Sequence, residues 1–81
     1  MMYFIYVIRN TDRGIRYIGS TADIDKRLAD HNAGRSRFTK GSRPWILVYS
    51  EKFGTKHEAL KRERYLKSGK GREILDRILG K

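Results

Sequence analysis

The apolar positions of this chain fall into two rhythms separated by short polar breaks. Tyr3 to Ile8 (YFIYVI) is a continuous apolar run rich in β-branched and aromatic residues, the pattern of a strand buried on both faces. Asn10 to Gly14 (NTDRG) carries turn chemistry, with Gly14 free to take a positive φ. Ile15 to Ile18 follows as a second strand, so the chain opens on a hairpin. The period then lengthens. Thr21 or Asp23 can cap a helix that reaches about Asn32 and stops at Gly34, and Ile24 and Leu28 form its core-facing stripe.

Gly34 to Pro44 reads as a loop, and Trp45 to Tyr49 restores the strand pattern, extending to Phe53. Thr55 to Glu58 (TKHE) fits a capping box, with Thr55 bonding the Glu58 amide and Glu58 reaching back. The helix it starts should run to about Lys67. Ser68 to Gly71 (SGKG) is expected to break it, leaving a short last helix from about Arg72 to Leu79. The order β-β-α-β-α-α implies an α/β (α+β) fold, a small sheet covered by helices. With 81 residues there is room for one modest core, so residues 1–81 are expected to form a single domain.

Composition narrows the function classes. Apolar residues make up 38% and aromatics 11%, enough for a core and against disorder. The absence of cysteine removes disulfides, thiolate metal sites and a cysteine nucleophile together, and is compatible with a cytoplasmic setting. The apolar opening ends at Arg9 with no basic region before it, too short for a membrane span and without signal-peptide layout. A formal net charge of +10 attracts polyanions, and nucleic acid is the commonest of these in the cytoplasm. A membrane surface is the competitor, but no segment is a clean basic amphipathic helix.

The candidate chemistry is dispersed. Glu63 lies three and four residues from Ala59, Leu60, Leu66 and Lys67, on or beside an apolar stripe. A carboxylate there needs a partner, either one of the 19 Lys and Arg side chains or a hard divalent cation such as Mg²⁺. Arg27 and His31 are four apart and project from one side of the first helix; Arg suits phosphate and His moves protons near neutral pH. On spacing alone, an incidental histidine on a solvated face satisfies the pattern equally. Tyr6 and Tyr17 could be core aromatics. The chain has no HExxH, P-loop or glycine-rich dinucleotide fingerprint.

The ordered set is more informative than its members. Phe4-Ile5-Tyr6 and Tyr17-Ile18-Gly19 resemble the two segments that name the GIY-YIG nuclease superfamily. The likeness continues through Ser20-Thr21, Asp25 to Leu28, His31 to Gly34, Arg43 to Trp45, Glu58-Ala59, Glu63 and Lys67 to Arg72. It is nearest to the small free-standing bacterial members.

This resemblance implies a small three-stranded antiparallel sheet flanked by helices, and phosphodiester cleavage with one divalent metal, Mg²⁺ or Mn²⁺. Related domains occur in the incision subunit of bacterial DNA nucleotide excision repair, in homing endonucleases and in some restriction enzymes. Carried over, Tyr6 and Tyr17 match the motif tyrosines, Arg27 the catalytic arginine, His31 a histidine found in part of the family, and Glu63 the metal ligand. There are departures. Phe4 stands where the first motif has glycine, and Ser20 where some relatives have lysine, which shifts proton transfer to tyrosine or histidine. Many members also carry an asparagine after the glutamate-bearing helix, whereas this chain has only Asn10 and Asn32.

The expected reading is therefore a Mg²⁺-dependent endonuclease acting on DNA, RNA not excluded, with weak sequence preference. Arg35, Arg37, Lys40 and Arg43 of the acid-free loop, with Lys67, Lys70 and Arg72, are the candidates for holding the nucleic-acid backbone. Two alternatives remain: a non-catalytic nucleic-acid-binding module on a nuclease scaffold, and a subunit that a protein partner targets to its substrate.

Overall fold

The computed structural model describes residues 2–80. Among them, β1 (Tyr3–Asn10), β2 (Arg16–Thr21) and β3 (Trp45–Phe53) form one antiparallel sheet in the order β2-β1-β3. Helix α1 (Ile24–Asn32) follows the hairpin, and α2 (Lys56–Leu66) and α3 (Gly69–Leu79) follow β3. The element order and the three-stranded sheet match the expectation from the sequence.

The hairpin closes through Asn10. Its Oδ1 accepts from the backbone N–H groups of Asp12 at 3.0 Å and Arg13 at 2.5 Å, and Gly14 takes φ 72°. Its Nδ2 donates to the carbonyls of Ser42 and Pro44, tying the turn to the approach to β3. Asn32 makes the other tie: its Nδ2 donates to the Trp45 carbonyl at 2.9 Å and its Oδ1 accepts from Trp45 N–H at 2.7 Å.

The central position of β1 explains its unbroken apolar run. Ile5 and Val7 pack with Ala59, Leu66 and Leu75 on the face covered by α2 and α3. Tyr6 and Ile8 point the other way, with Trp45, Tyr17 and the Ile24/Leu28 stripe of α1. Fully burying each such side chain contributes about 1.5–3 kcal/mol relative to leaving it exposed. Helix α2 is fixed over its face by Arg62, whose Nε and Nη2 donate to the two Glu51 oxygens at 2.8 and 3.0 Å. Glu51 also accepts from the Tyr49 hydroxyl at 2.5 Å.

Helix N-termini follow the capping reading. Asp23 accepts from Lys26 N–H at 3.1 Å, and Thr55 from Glu58 N–H at 3.2 Å. The last helix departs from expectation. It begins at Gly69, three residues before Arg72, because Ser68 is a capping residue: its Oγ accepts from Gly71 N–H at 3.2 Å. The same hydroxyl donates to the Tyr65 carbonyl at 2.6 Å. Gly71 is required at this corner, since a Cβ there would run into the Tyr65 carbonyl oxygen and the Leu66 backbone. The segment read as a loop contains a 3₁₀ turn at Lys40–Ser42. Leu60, read as part of the α2 stripe, is instead exposed.

Candidate active site

Tyr6 and Gly19 are cross-strand partners in the β1–β2 register. A Cβ on Gly19 would fall 2.5 Å from the Tyr6 hydroxyl, so the phenol can lie across β2 only because that position has no side chain. This gives the glycine of the second motif a steric reason. Strand β2 is an edge of the sheet, and the phenol therefore reaches toward that edge.

There the Tyr6 hydroxyl meets His31. Its oxygen lies 2.8 Å from His31 Nε2, and His31 Nδ1 lies 2.6 Å from Thr39 Oγ1. Tyr6 is 2% exposed, and His31 and Thr39 are 0% exposed, so the three form a buried hydrogen-bonded chain. The solvated-face reading of His31 is thereby excluded. The Thr39 carbonyl accepts from the Trp45 indole at 2.9 Å, which holds the threonine in place. The Tyr17 ring stands edge-on to His31 at 5.1 Å and lies 6.4 Å from the Tyr6 ring.

Electrostatics place the remaining residues. Burial pushes the Tyr6 phenol above its ordinary value; the Arg27 guanidinium beside it opposes the rise, while Tyr17 and the Glu63 charge add to it. In return, the Tyr6 oxygen strengthens the hold of Arg27 on its proton. His31 is held below 6.5, first by burial and then by the Arg27 charge, with Asp30 working against both. Tyr6, Tyr17 and His31 thus meet in one place, with Arg27 beside the phenol, while Glu63 acts on Tyr6 only through its charge. Arg27 and His31 are supplied by α1 and Glu63 by α2.

The Glu63 side chain is 19% exposed and accepts from Lys67 Nζ at 2.8 Å. This is the lysine pair that the sequence allowed. Among the described residues no three His, Asp or Glu side chains cluster to hold a metal. Glu63 can nevertheless serve as a one-carboxylate site, which suits Mg²⁺ because that ion keeps most of its waters and needs few protein oxygens. A carboxylate already holding a cation on its half-buried edge fits the group. Neither asparagine could assist, since Asn10 and Asn32 are both committed to backbone.

A groove of about 410 Å³ opens beside Tyr17, lined by Arg16, Ile18, Lys67, Arg72 and Leu75. Arg16 was not among the sequence candidates. Its Nη2 donates to Asp76 at 2.7 Å, while its Nη1 is buried without a partner among the described residues. No local signal marks it, because the contact to α3 spans 60 residues. Thr39 was missed for a similar reason: nothing in a basic loop distinguishes a threonine that will touch a histidine. Lys70 is exposed in the first turn of α3. In the Gly34–Pro44 loop, Arg35 pairs with Asp30 at 2.8 Å and Arg43 Nε donates to the Lys40 carbonyl at 2.9 Å. Arg37 and Lys40 are exposed.

Residues 2–74 match the model of the GIY-YIG catalytic domain. The chain belongs to the GIY-YIG family. It is 46% identical over 67 residues to a UPF0213 protein of Staphylococcus saprophyticus, covering 82% of this chain and 80% of the relative. A UPF0213 protein of Halobacterium salinarum is 42% identical over 67 residues, covering 82% and 86%. The solution NMR structure of the UPF0213 protein BH0048 from Bacillus halodurans superposes with a TM-score of 0.57 at 32% identity, covering 96% of this chain and 85% of that one. GIY-YIG membership places the chain in a nuclease superfamily, with nucleic acid as the substrate class and divalent metal as the family's general cofactor. No helix among the described residues is long and apolar enough to cross a membrane.

Proposed function

We propose that this GIY-YIG protein is a metal-dependent endonuclease that hydrolyses phosphodiester bonds in DNA with weak sequence preference. The observation that carries the reading is the buried chain from the Tyr6 hydroxyl through His31 to Thr39, with the Tyr17 ring against the imidazole and the Arg27 guanidinium beside the phenol. A structural tyrosine needs one hydrogen-bond partner. It has no need of an arginine and a second tyrosine as well.

Glu63 would hold Mg²⁺ or Mn²⁺, with Lys67 giving up the carboxylate, and the bound ion would supply positive charge to the scissile phosphate and the departing 3′ oxygen. Arg27 neutralises charge developing on the phosphoryl oxygens. Neutral His31 is the proton acceptor, reached through Tyr6. As water attacks phosphorus and the bond to the 3′ oxygen breaks, the water proton passes to the Tyr6 oxygen. The phenol's own proton moves to His31 Nε2. That route needs Nε2 unprotonated, so His31 Nδ1–H donates to Thr39 Oγ1. A phenol raised above 10.0 cannot act alone as base at neutral pH, and the imidazole resolves this. Arg16, Lys67 and Arg72 of the groove, with Arg37 and Lys40 of the loop, would hold the backbone, each phosphate contact adding roughly 0.9 to the salt slope on duplex DNA.

Cleavage of plasmid and single-stranded DNA by the wild type, Arg27→Ala and Glu63→Ala in Mg²⁺ tests the assignment. Both variants should lose about 100-fold or more in rate; equal cleavage by all three contradicts it. The lack of an asparagine after the Glu63-bearing helix favours a second reading, a nucleic-acid-binding module without catalysis. Tight binding with no metal-dependent cleavage would select that reading.

A further inference from the structure

Phe38 is 82% exposed, whereas the next most exposed large apolar side chain, Ile78, is 44% exposed. A phenylalanine so fully in water is not explained by the fold. Nor is it on a loose tip. Its neighbours Ser36 and Thr39 are 7% and 0% exposed, and the Ser36 carbonyl accepts from the N–H groups of Thr39 at 3.2 Å and Lys40 at 3.0 Å. Thr39 is in turn fixed by the Trp45 indole and by His31. Adjacent Cα atoms are about 3.8 Å apart, so the Phe38 ring stands on the very turn whose next residue touches the imidazole.

The surroundings choose the occupant. The segment from Gly34 to Pro44 carries Arg35, Arg37, Lys40 and Arg43 and no acid. Arg37 and Lys40, one residue before Phe38 and two after it, are themselves exposed. A second copy of this chain would bring a net charge of +10 against that surface, which opposes docking through it. A nucleotide supplies both complements, an anionic phosphate for the cations and a π face for the ring.

We propose that Phe38 is a stacking platform for an unpaired base, so that the substrate presents a single-stranded or locally opened nucleic acid at this turn. In an intact duplex both faces of every base are already covered by its neighbours. The platform therefore discriminates for a base that is already free, while the cations track the backbone without reading sequence. The proposal rests on nucleic acid being the substrate.

The test is equilibrium binding of labelled single-stranded and duplex DNA of mixed sequence in EDTA, where no cleavage step enters. Wild type, Phe38→Ala, Phe38→Trp and the Arg37→Gln/Lys40→Gln double variant are compared. Phe38→Ala should weaken single-strand binding about 5- to 150-fold, the loss of one base–aromatic stack, and Phe38→Trp should restore it. Its salt slope should stay unchanged, and its duplex affinity should move little. The double variant should lower the slope for both DNAs. Equal single-strand affinity for wild type and Phe38→Ala overturns the stacking role while leaving the nuclease reading intact. A wild-type protein that binds neither DNA overturns both. Two other results would assign the ring elsewhere and overturn the proposal. One is a dimer that Phe38→Ala converts to monomer; the other is binding to phosphatidylserine vesicles that Phe38→Ala abolishes with DNA affinity unchanged.

Discussion

Replacing Thr39 by valine removes one hydroxyl from the buried chain and almost nothing else, since the two side chains have nearly the same shape. In the wild type His31 Nδ1 lies 2.6 Å from Thr39 Oγ1, and both residues are 0% exposed, so water cannot stand in for the lost partner. Leaving a buried donor unsatisfied costs about 1–3 kcal/mol. For a domain of this size each kcal/mol moves Tm by about 4–8 °C, so Thr39→Val should melt about 4 to 24 °C lower. Thr39→Ser keeps the hydroxyl and loses a buried methyl, which costs about 1 kcal/mol. Urea and thermal denaturation of the three proteins at pH 7.5 provide the measurement. If Thr39→Val is as stable as wild type, or if serine is the worse substitution, the hydrogen bond to His31 does not hold the site together.

Three further outcomes concern His31, Gly19 and the Glu51–Arg62 pair. Because burial holds His31 below 6.5, the unfolded chain takes up that proton first. Its contribution to stability is then complete above pH 6.5 and falls as the pH drops from there toward the folded-state value. Urea titrations between pH 5 and 8 should show this fall, and His31→Gln should flatten it; an identical pH dependence in the variant would contradict the assignment. Gly19→Ala should displace the Tyr6 phenol and destabilise by about 1–3 kcal/mol, and nuclease activity should fall with it; a fully stable, fully active variant would show that the phenol need not lie over β2. Glu51→Gln should weaken the tie between β3 and α2, costing about 1–2 kcal/mol because the pair is only partly buried. Arg62 holds the Glu51 carboxyl below 4.5, so the wild-type advantage, present above that pH, should vanish as the pH falls through the lower folded-state value.

What the sequence disclosed and what it hid divide along the range of the contact. The hairpin, the caps at Asp23 and Thr55 and the two-sided burial of β1 are written in local patterns, so they were legible. The beginning of α3 was misplaced because glycines at 69 and 71 read as a break. In the first turn they are tolerated, and at Gly71 the close approach of α2 requires one. Arg27, His31 and Glu63 could be picked out as a set only through the resemblance; their individual spacings fitted ordinary surface and core roles. Thr39, Arg16 and the Glu51–Arg62 pair depend on partners brought together by folding, and no period or motif announces them.

Hydrolysis is assigned to Tyr6, His31, Arg27 and Glu63. The most direct test of it is the cleavage rate of one end-labelled DNA by the wild type and by Glu63→Gln, each in EDTA and in saturating Mg²⁺ or Mn²⁺. Wild type should cut only with metal, leaving 3′-hydroxyl and 5′-phosphate ends, and Glu63→Gln should lose about 100-fold or more in rate at every metal concentration. Cleavage by wild type in EDTA, or an unchanged rate in Glu63→Gln, would contradict metal-dependent hydrolysis at Glu63.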